Sequence, residues 1–597
     1  MLEWLCVVLL TFSAGIATTQ VFFRYVLNAS LPWPEEVARW TFNWMVFLGM
    51  PLLVADGSHI AIDLFATRLG EAGRARHEFF VRAMIAAASV MMIAQGVVMV
   101  RNSTYVSPAM GWPYVYLYAA VPIGAALNLL YLVRQRYALR LPAPGWLACL
   151  LGAIVYFAYR WVAISWLGGI GTATLLMATA LILIFAGVPV AFALAFGAFA
   201  AFAPQGDLLL VTIAHNMTSS IDSFPLLAIP FFILAAAVMN AGGITERLID
   251  FAVHLVGHLR GGLGHVNVLT NTVMAGVSGS SMADASAIGK VLIPEMERQG
   301  YGRAFACALT SASAVLANLI PPSLGLLIFG ALASVSVGAL FVATIVPGLM
   351  LAAVLAITVY VLSLRRGYGG TLRRYTARER LAAFLIAFPA LVLPILIIGG
   401  IRFGVFTATE AGAVAVGYAL LCGGVIYHRM SGVALAAALR EAVRDTVAVM
   451  VIVSAAAPFA WVLAAEQIPQ KVAQGLGTLA ANPYALLFLV NIFLLVVGLF
   501  MEMIAAMIIL VPILAPMVNA AGVDLVHFGV VLVMNIVIGA LTPPMGMLVF
   551  TTSRVGNAPV AEVFREVMPF LIGMIATLFL VTYVPALSLT LLNWIGL

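Results

Sequence analysis

The sequence predicts an all-α polytopic membrane protein, built as a four-helix unit, one further crossing and a longer duplicated core of broken hydrophobic segments. Three observations predict it. Hydrophobic residues make up 64% of the 597 and charged residues only 9%, a ratio that no water-soluble fold sustains. Apolar stretches near the bilayer-spanning length of about 20 residues recur along nearly the whole chain, in roughly fifteen segments. One pattern of helix-breaking residues also occurs twice.

The first apolar run, Trp4 to Phe23, follows Glu3 rather than a basic cluster and leads to no small-residue cleavage site, so it reads as a retained helix. Segments near 40–56, 79–100 and 114–133 complete a unit at 1–140. Arg68, Arg74, Arg76 and Arg82 follow the second segment, and Arg134, Arg136 and Arg140 follow the fourth, whereas the 101–113 connection carries Arg101 alone. The positive-inside rule then puts the amino terminus and both arginine-rich connections in the cytoplasm. A linker at Leu141 to Gly145 precedes a crossing near 146–167, so 141–170 reads as a joint that reverses the side on which the main body, 171–597, begins. Within that body, six arginines between Arg365 and Arg380 mark a cytoplasmic connection, separating a first repeat at about 172–364 from a second at about 381–597.

The repeats share their breaks. Gly276 to Pro294 and Gly498 to Pro516 both span 18 positions, and Pro294 to Pro321 and Pro516 to Pro543 both span 27, a constant offset of 222. Ile229-Pro230-Phe231 resembles Ala457-Pro458-Phe459 at an offset of 228. Broken hydrophobic segments at matching positions of a duplicated chain point to a secondary transporter, with its site at the repeat interface.

Three stretches could carry that site. Gly276 to Gly289 gathers Ser278, Ser280, Ser281, Asp284 and Ser286. Its small residues suit close helix packing, but an aspartate at membrane depth costs roughly 2.5–3.5 kcal/mol on insertion scales, which suggests a bound cation or polar substrate. Asn318 to Ser323 contains Pro321-Pro322, matched by Thr542-Pro543-Pro544-Met545-Gly546. Such prolines kink a helix, or free carbonyl oxygens of the kind that bind sodium. Glu502, at the repeat position of Ser280, is either an interfacial glutamate at a hairpin tip or part of the site.

Other chemistries are not indicated. Gly289-Lys290 lacks the rest of a phosphate-binding loop, no HExxH occurs, and Gly276-Val277-Ser278-Gly279-Ser280 fails the GxSxG elbow at its last position. The reading is of a non-enzyme with no cofactor. Cys6, Cys149, Cys307 and Cys422 lie far apart in apolar runs. The net charge of +6 is spread over loops and is read as a topology signal, with no nucleic-acid partner. Glu35, Glu36, Arg39, Asp56, His59 and Asp63 flank the second segment, either as solvated interfacial charges or as groups that pair with the larger unit or a soluble partner.

Taken together these motifs resemble a tripartite ATP-independent periplasmic (TRAP) transporter whose small and large membrane subunits are fused. The resemblance covers essentially the whole chain. It rests on Trp33-Pro34-Glu35-Glu36-Val37-Ala38-Arg39 and His59-Ile60-Ala61-Ile62-Asp63 in the small subunit. In the large one it rests on Gly187-Val188-Pro189-Val190-Ala191-Phe192, Gly279 to Asp284, Pro321-Pro322-Ser323, Phe406 to Ala411 and Thr542 to Gly546, with Ala408 where many relatives have proline. The resemblance implies an inverted-repeat large subunit with two re-entrant hairpins and an elevator mechanism. It implies sodium-coupled uptake of a small carboxylate, such as a C4-dicarboxylate or sugar acid, delivered by a periplasmic substrate-binding protein across the bacterial inner membrane. Sodium is then the coupling ion. The sodium sites would fall at Ser278, Ser280, Asp284, Asn318 and Pro321 and at Thr542, Pro543 and Gly546, and the substrate site at Ser281, Ser323 and Glu502. A stand-alone ion-coupled carboxylate carrier is the alternative, and the 1–140 unit argues against it. A proton-pumping respiratory subunit would want intramembrane lysines in series, and Lys290 is almost alone.

Overall fold

A computed structural model of the protein describes residues 1–57, 59, 61, 69–134, 145–166, 170–368, 373–477, 482–543 and 546–595. Among them regular structure is helical, apart from one isolated bridge between Val106 and Pro113. Asp63, Arg68, Arg136, Arg140, most of the 141–145 linker, Pro544 and Met545 lie outside the described residues.

Twelve of the described helices are long and apolar enough to cross a membrane, and five more apolar helices run only 10–17 residues. The short ones arise where breakers interrupt an apolar run. Gly187, with φ +81°, and Pro189 divide Thr172–Phe185 from the helix that begins at Val190. Leu319 to Ser323 separates Arg303–Ala314 from Leu324–Ala333, and Ala540 to Gly546 separates Leu525–Gly539 from Met547–Gly556. A proline supplies no amide to the helix ladder, so each break follows from its sequence.

The chain packs as two units, one of Met1–Pro230, Arg440–Gly475 and Ile508–Ile513, the other of Phe231–Leu439, Leu476–Met507 and Leu514–Leu597. In the first, the helices Leu2–Tyr25, Pro34–Asp56, Glu71–Asn102 and Ala120–Arg134 cover the four amino-terminal segments, followed by Gly145–Trp166. Side chains of this stretch reach far along the chain. Arg39 Nη1 donates to the Asp222 carbonyl at 2.9 Å and lies 3.2 Å from its carboxylate. Asn43 donates to the Thr218 carbonyl at 3.3 Å, and Arg444 meets Glu3 at 2.9 Å and Asp56 at 3.4 Å. For Arg39 and Asp56, pairing is therefore the arrangement observed. His59 is partly buried, edge-on against Phe192, with ring centroids 5.2 Å apart. Asp222 sits in the turn before the Phe224–Ala241 span, where burial pushes its carboxyl up to about 6 against the opposing pull of Arg39.

The second unit holds the helix pair Gly262–Ser278 and Ser281–Arg298, the helix Pro483–Gly498 with both ends of its pair partner Met503–Ala520, whose middle, Ile508–Ile513, is counted with the first unit, and the two broken helices. Its core includes Phe305, Phe329, Phe341 and Phe528. The arginine-rich connection is tied down at both ends. Arg366 pairs with Glu566 at 2.5 Å, and Thr376 and Glu379 form a capping box that starts the Ala377–Arg402 helix.

Candidate functional site

The first helix pair turns at Gly279, whose φ of +61° stops Gly262–Ser278 in the left-handed region, where a side chain on Cβ would be strained. Ser280 then caps Ser281–Arg298, accepting from the Ala283 amide at 3.5 Å. A Cβ on Gly279 would also sit 2.7 Å from the Pro322 carbonyl oxygen, and one on Gly276 3.6 Å from that of Pro321. The two glycines thus let the tip lie directly on the broken helix, and the proline carbonyls face the tip.

Side chains complete this join. Asn318 Nδ2 donates to Ser281 Oγ at 2.8 Å, the Ser323 hydroxyl donates to the Asn318 carbonyl, and the Leu326 amide donates back to Ser323 Oγ at 3.3 Å. Two helices, Ser281–Arg298 and Leu324–Ala333, therefore begin beside one another, each capped by a hydroxyl. Their amino-terminal amides and dipoles favour a negative charge there. Asp284, in the first turn of the longer helix, is fully buried. Neither of its carboxylate oxygens has a hydrogen-bond partner among the described residues, and the Ser278 hydroxyl stands beside it without closing a well-formed bond. A buried carboxylate without a donor costs several kcal/mol unless a cation or a proton answers it.

The second repeat reproduces the plan with different chemistry. Glu502 caps Met503–Ala520, its carboxylate accepting from the amides of Ile504 at 2.8 Å and Ala505 at 3.4 Å. Gly498 packs on Gly539, where a Cβ would come within 2.9 Å of the Gly539 Cα, so this pair also touches its broken helix through glycine. At that break Thr542 Oγ1 donates to the Ile538 carbonyl at 3.2 Å, Pro543 follows, and Gly546, with φ +34°, starts Met547–Gly556. The repeats also interleave. Thr551 Oγ1 lies 3.6 Å from Met282 Sδ, and a Cβ on Gly325 would meet Met503 Sδ at 3.0 Å.

The structure thus brings Ser278, Ser280, Ser281, Asp284, Asn318, Pro321 and Ser323 together at the first tip. It sets Thr542, Pro543 and Gly546 at the second break. Among the described residues no hydrogen bond joins Glu502 to Ser281 or Ser323; its carboxylate turns to its own helix. The groups that sequence reasoning missed are buried amides. Asn267 donates to Thr310 Oγ1 at 2.7 Å and Asn271 to Asn267 Oδ1 at 2.9 Å; Asn535 donates to Asn491 Oδ1 at 2.8 Å and Asn491 to Thr582 Oγ1 at 3.0 Å. The bonds Asn267 to Thr310 and Asn535 to Asn491 tie the first arm of each pair to the broken helix that follows it. Asparagines inside mostly apolar helices, two of them one turn apart in Gly262–Ser278, were the available signal.

Residues 177–587 match the family profile described as "Tripartite ATP-independent periplasmic transporter, DctM component", and residues 13–141 match that of the DctQ component. The chain is 33% identical over 597 residues to a sialic acid TRAP transporter permease protein, SiaT, of Haemophilus influenzae, covering 98% of this chain and 97% of the relative. It is 42% identical over 409 residues to the sialic acid TRAP transporter large permease protein SiaM of Vibrio cholerae, covering 68% of this chain and 96% of that one. Against an isethionate TRAP transporter permease protein, DctMQ, of Oleidesulfovibrio alaskensis, identity is 33% over 96% of this chain and 92% of the relative.

Proposed function

The chain belongs to the tripartite ATP-independent periplasmic transporter family, carrying both membrane components in one polypeptide, and from that premise we propose that it couples sodium entry to uptake of a small carboxylate handed over by a periplasmic binding protein. It is a multi-pass transport permease and not an enzyme. The observation that carries the sodium proposal is Asp284, a buried carboxylate with no well-formed hydrogen bond among the described residues, beside the Ser278 hydroxyl in the tip whose glycines, Gly276 and Gly279, lie against the carbonyls of Pro321 and Pro322. Sodium favours oxygen ligands of these kinds, and Ser280 and Asn318 complete the neighbourhood. A second ion would use the break at Thr542, Pro543 and Gly546.

The substrate carboxylate would lie against Ser281 and Ser323, where two helix amino termini begin together. Sodium at Asp284 would neutralise a carboxylate that repels it, so binding of the ion favours binding of the anion. Glu502 would contribute from the second tip. Relatives named for sialic acid support a sugar acid. The arginine distribution supports an amino terminus in the cytoplasm, and the family supports the bacterial inner membrane and an elevator-type displacement. Proteoliposomes with an inward sodium gradient test the reading, with labelled sialic acid and C4-dicarboxylates offered with and without candidate binding proteins. Uptake that needs both sodium and one binding protein is expected. Sodium-driven uptake without any binding protein would instead establish a stand-alone carrier.

A further inference from the structure

Away from the two helix tips, a cavity of about 530 Å³ opens in the second unit where the Phe224–Ala241 span gives way to the helix Ile244–Val256. Asn240, Gly243, Glu246, Arg247, Asp250 and Arg429 line it. Two arginines converge on Gly243. A Cβ there would sit 3.1 Å from Arg247 Nη1 and 3.9 Å from Arg429 Cγ. Arg247 is held in place, its guanidinium stacked 3.9 Å from the Tyr427 ring centroid and donating to the Gly243 carbonyl, while the Tyr427 hydroxyl is anchored to the Ile386 carbonyl at 3.0 Å. Neither arginine has a carboxylate within salt-bridge distance among the described residues, and Asp250 is engaged by His254 at 3.5 Å. The cavity therefore presents two guanidinium groups without a salt bridge among the described residues, the Glu246 carboxylate, whose Oε2 would lie 3.5 Å from the same Cβ on Gly243, and the amides at the start of a 13-residue helix.

Its depth identifies the source of the anion. Two apolar spans end at its walls, Phe224–Ala241 and Ala408–Ile426, joined by the close approach of Gly242 to Gly423. On the membrane side of Arg429 the surface is apolar and exposed at Leu421, Val425 and Ile426. His254, on the same helix as Arg247, stacks on Tyr375 of the arginine-rich connection with ring centroids 3.9 Å apart, which ties that helix to the connection. A ligand seated here meets cationic donors at the water boundary and bare hydrocarbon just beneath.

We propose that the cavity is a phospholipid site, with the phosphodiester held between Arg247 and Arg429 and the acyl chains lying along Leu421, Val425 and Ile426. Guanidinium forks match phosphate oxygens, and basic pockets at this depth take lipid headgroups. Glu246, also on the cavity wall, favours a headgroup that carries an amine. This site is independent of the sodium and substrate reading.

The test is native mass spectrometry of the full chain in detergent titrated with dioleoyl phosphatidylethanolamine, comparing the parent with Arg429→Gln and with the double variant Arg247→Gln/Arg429→Gln. One lipid bound at least tenfold more tightly by the parent than by either variant is expected. Arg429→Gln removes a side chain with no ion-pair partner among the described residues, so its melting temperature in detergent should match the parent. Equal lipid retention in all three proteins overturns the proposal. Displacement of the lipid by inorganic phosphate or soluble phosphoethanolamine at millimolar concentration overturns the lipid assignment in favour of a soluble anion.

Discussion

At Asp284 a carboxylate sits fully buried with no well-formed hydrogen bond to either oxygen among the described residues. If it is a sodium ligand, Asp284→Asn should raise the sodium concentration for half-maximal uptake at least tenfold and abolish the melting-temperature rise that sodium gives the parent. In sodium-free buffer the variant should melt at or above the parent, since an uncompensated buried charge has been removed. A residue with a purely structural role would show the reverse. Asp222 gives a pH signature of its own. Burial lifts its carboxyl from 3.8 to about 6, so the stability that this group contributes is full below the unfolded value and is lost as pH rises through about 6. Comparing the thermal stability of the parent with Asp222→Asn between pH 7 and pH 4 should show the parent gaining about 2 kcal/mol on the variant as pH falls. A flat difference would mean that Arg39 keeps the carboxylate charged throughout.

The two breaks and the two tips were legible at the level of the element, because a constant offset of 222 between prolines and glycines reports a duplicated backbone whatever the side chains do. The equivalence of Ser280 and Glu502 was legible for the same reason, and both prove to be helix caps. Asn267, Asn271, Asn491 and Asn535 were not legible. Each is a polar residue in a mostly apolar helix, and only the tertiary fold shows which hydroxyl or amide it meets. The direction of Glu502 was hidden too, since a carboxylate at a turn can serve its own amides or a ligand. A double requirement falls on Gly279, which needs both a positive φ and room against the Pro322 carbonyl. Gly279→Ala should cost about 1–2 kcal/mol for the left-handed backbone alone and more for the contact, read as a lower melting temperature together with lost uptake. Gly300→Ala, also at positive φ but with open space around it, should keep transport.

For the whole molecule, the amino-terminal helices are held by more than the covalent joint. Arg39 with Asp222, Asn43 with Thr218 and Arg444 with Glu3 and Asp56 all link them to later parts of the same packed unit. Co-expressing residues 1–140 and 145–597 as separate chains should therefore give halves that copurify and transport, and Arg39→Ala should weaken that copurification, since removing one member of this partly buried pair leaves the Asp222 carboxylate without its partner. Recovery of either half alone would show that the joint is needed. The caps also differ between the repeats, hydroxyl at the first tip and carboxylate at the second. A carrier spends half of each cycle empty, and a helix end left bare on that leg would have to take up water or stall. Glu502 already occupies the amides of its own helix, so the chain brings its own ballast for the return, and any cargo anion bidding for those amides must trade places with it. Turnover would then be set as much by how readily Glu502 swings aside as by how tightly the cargo is held.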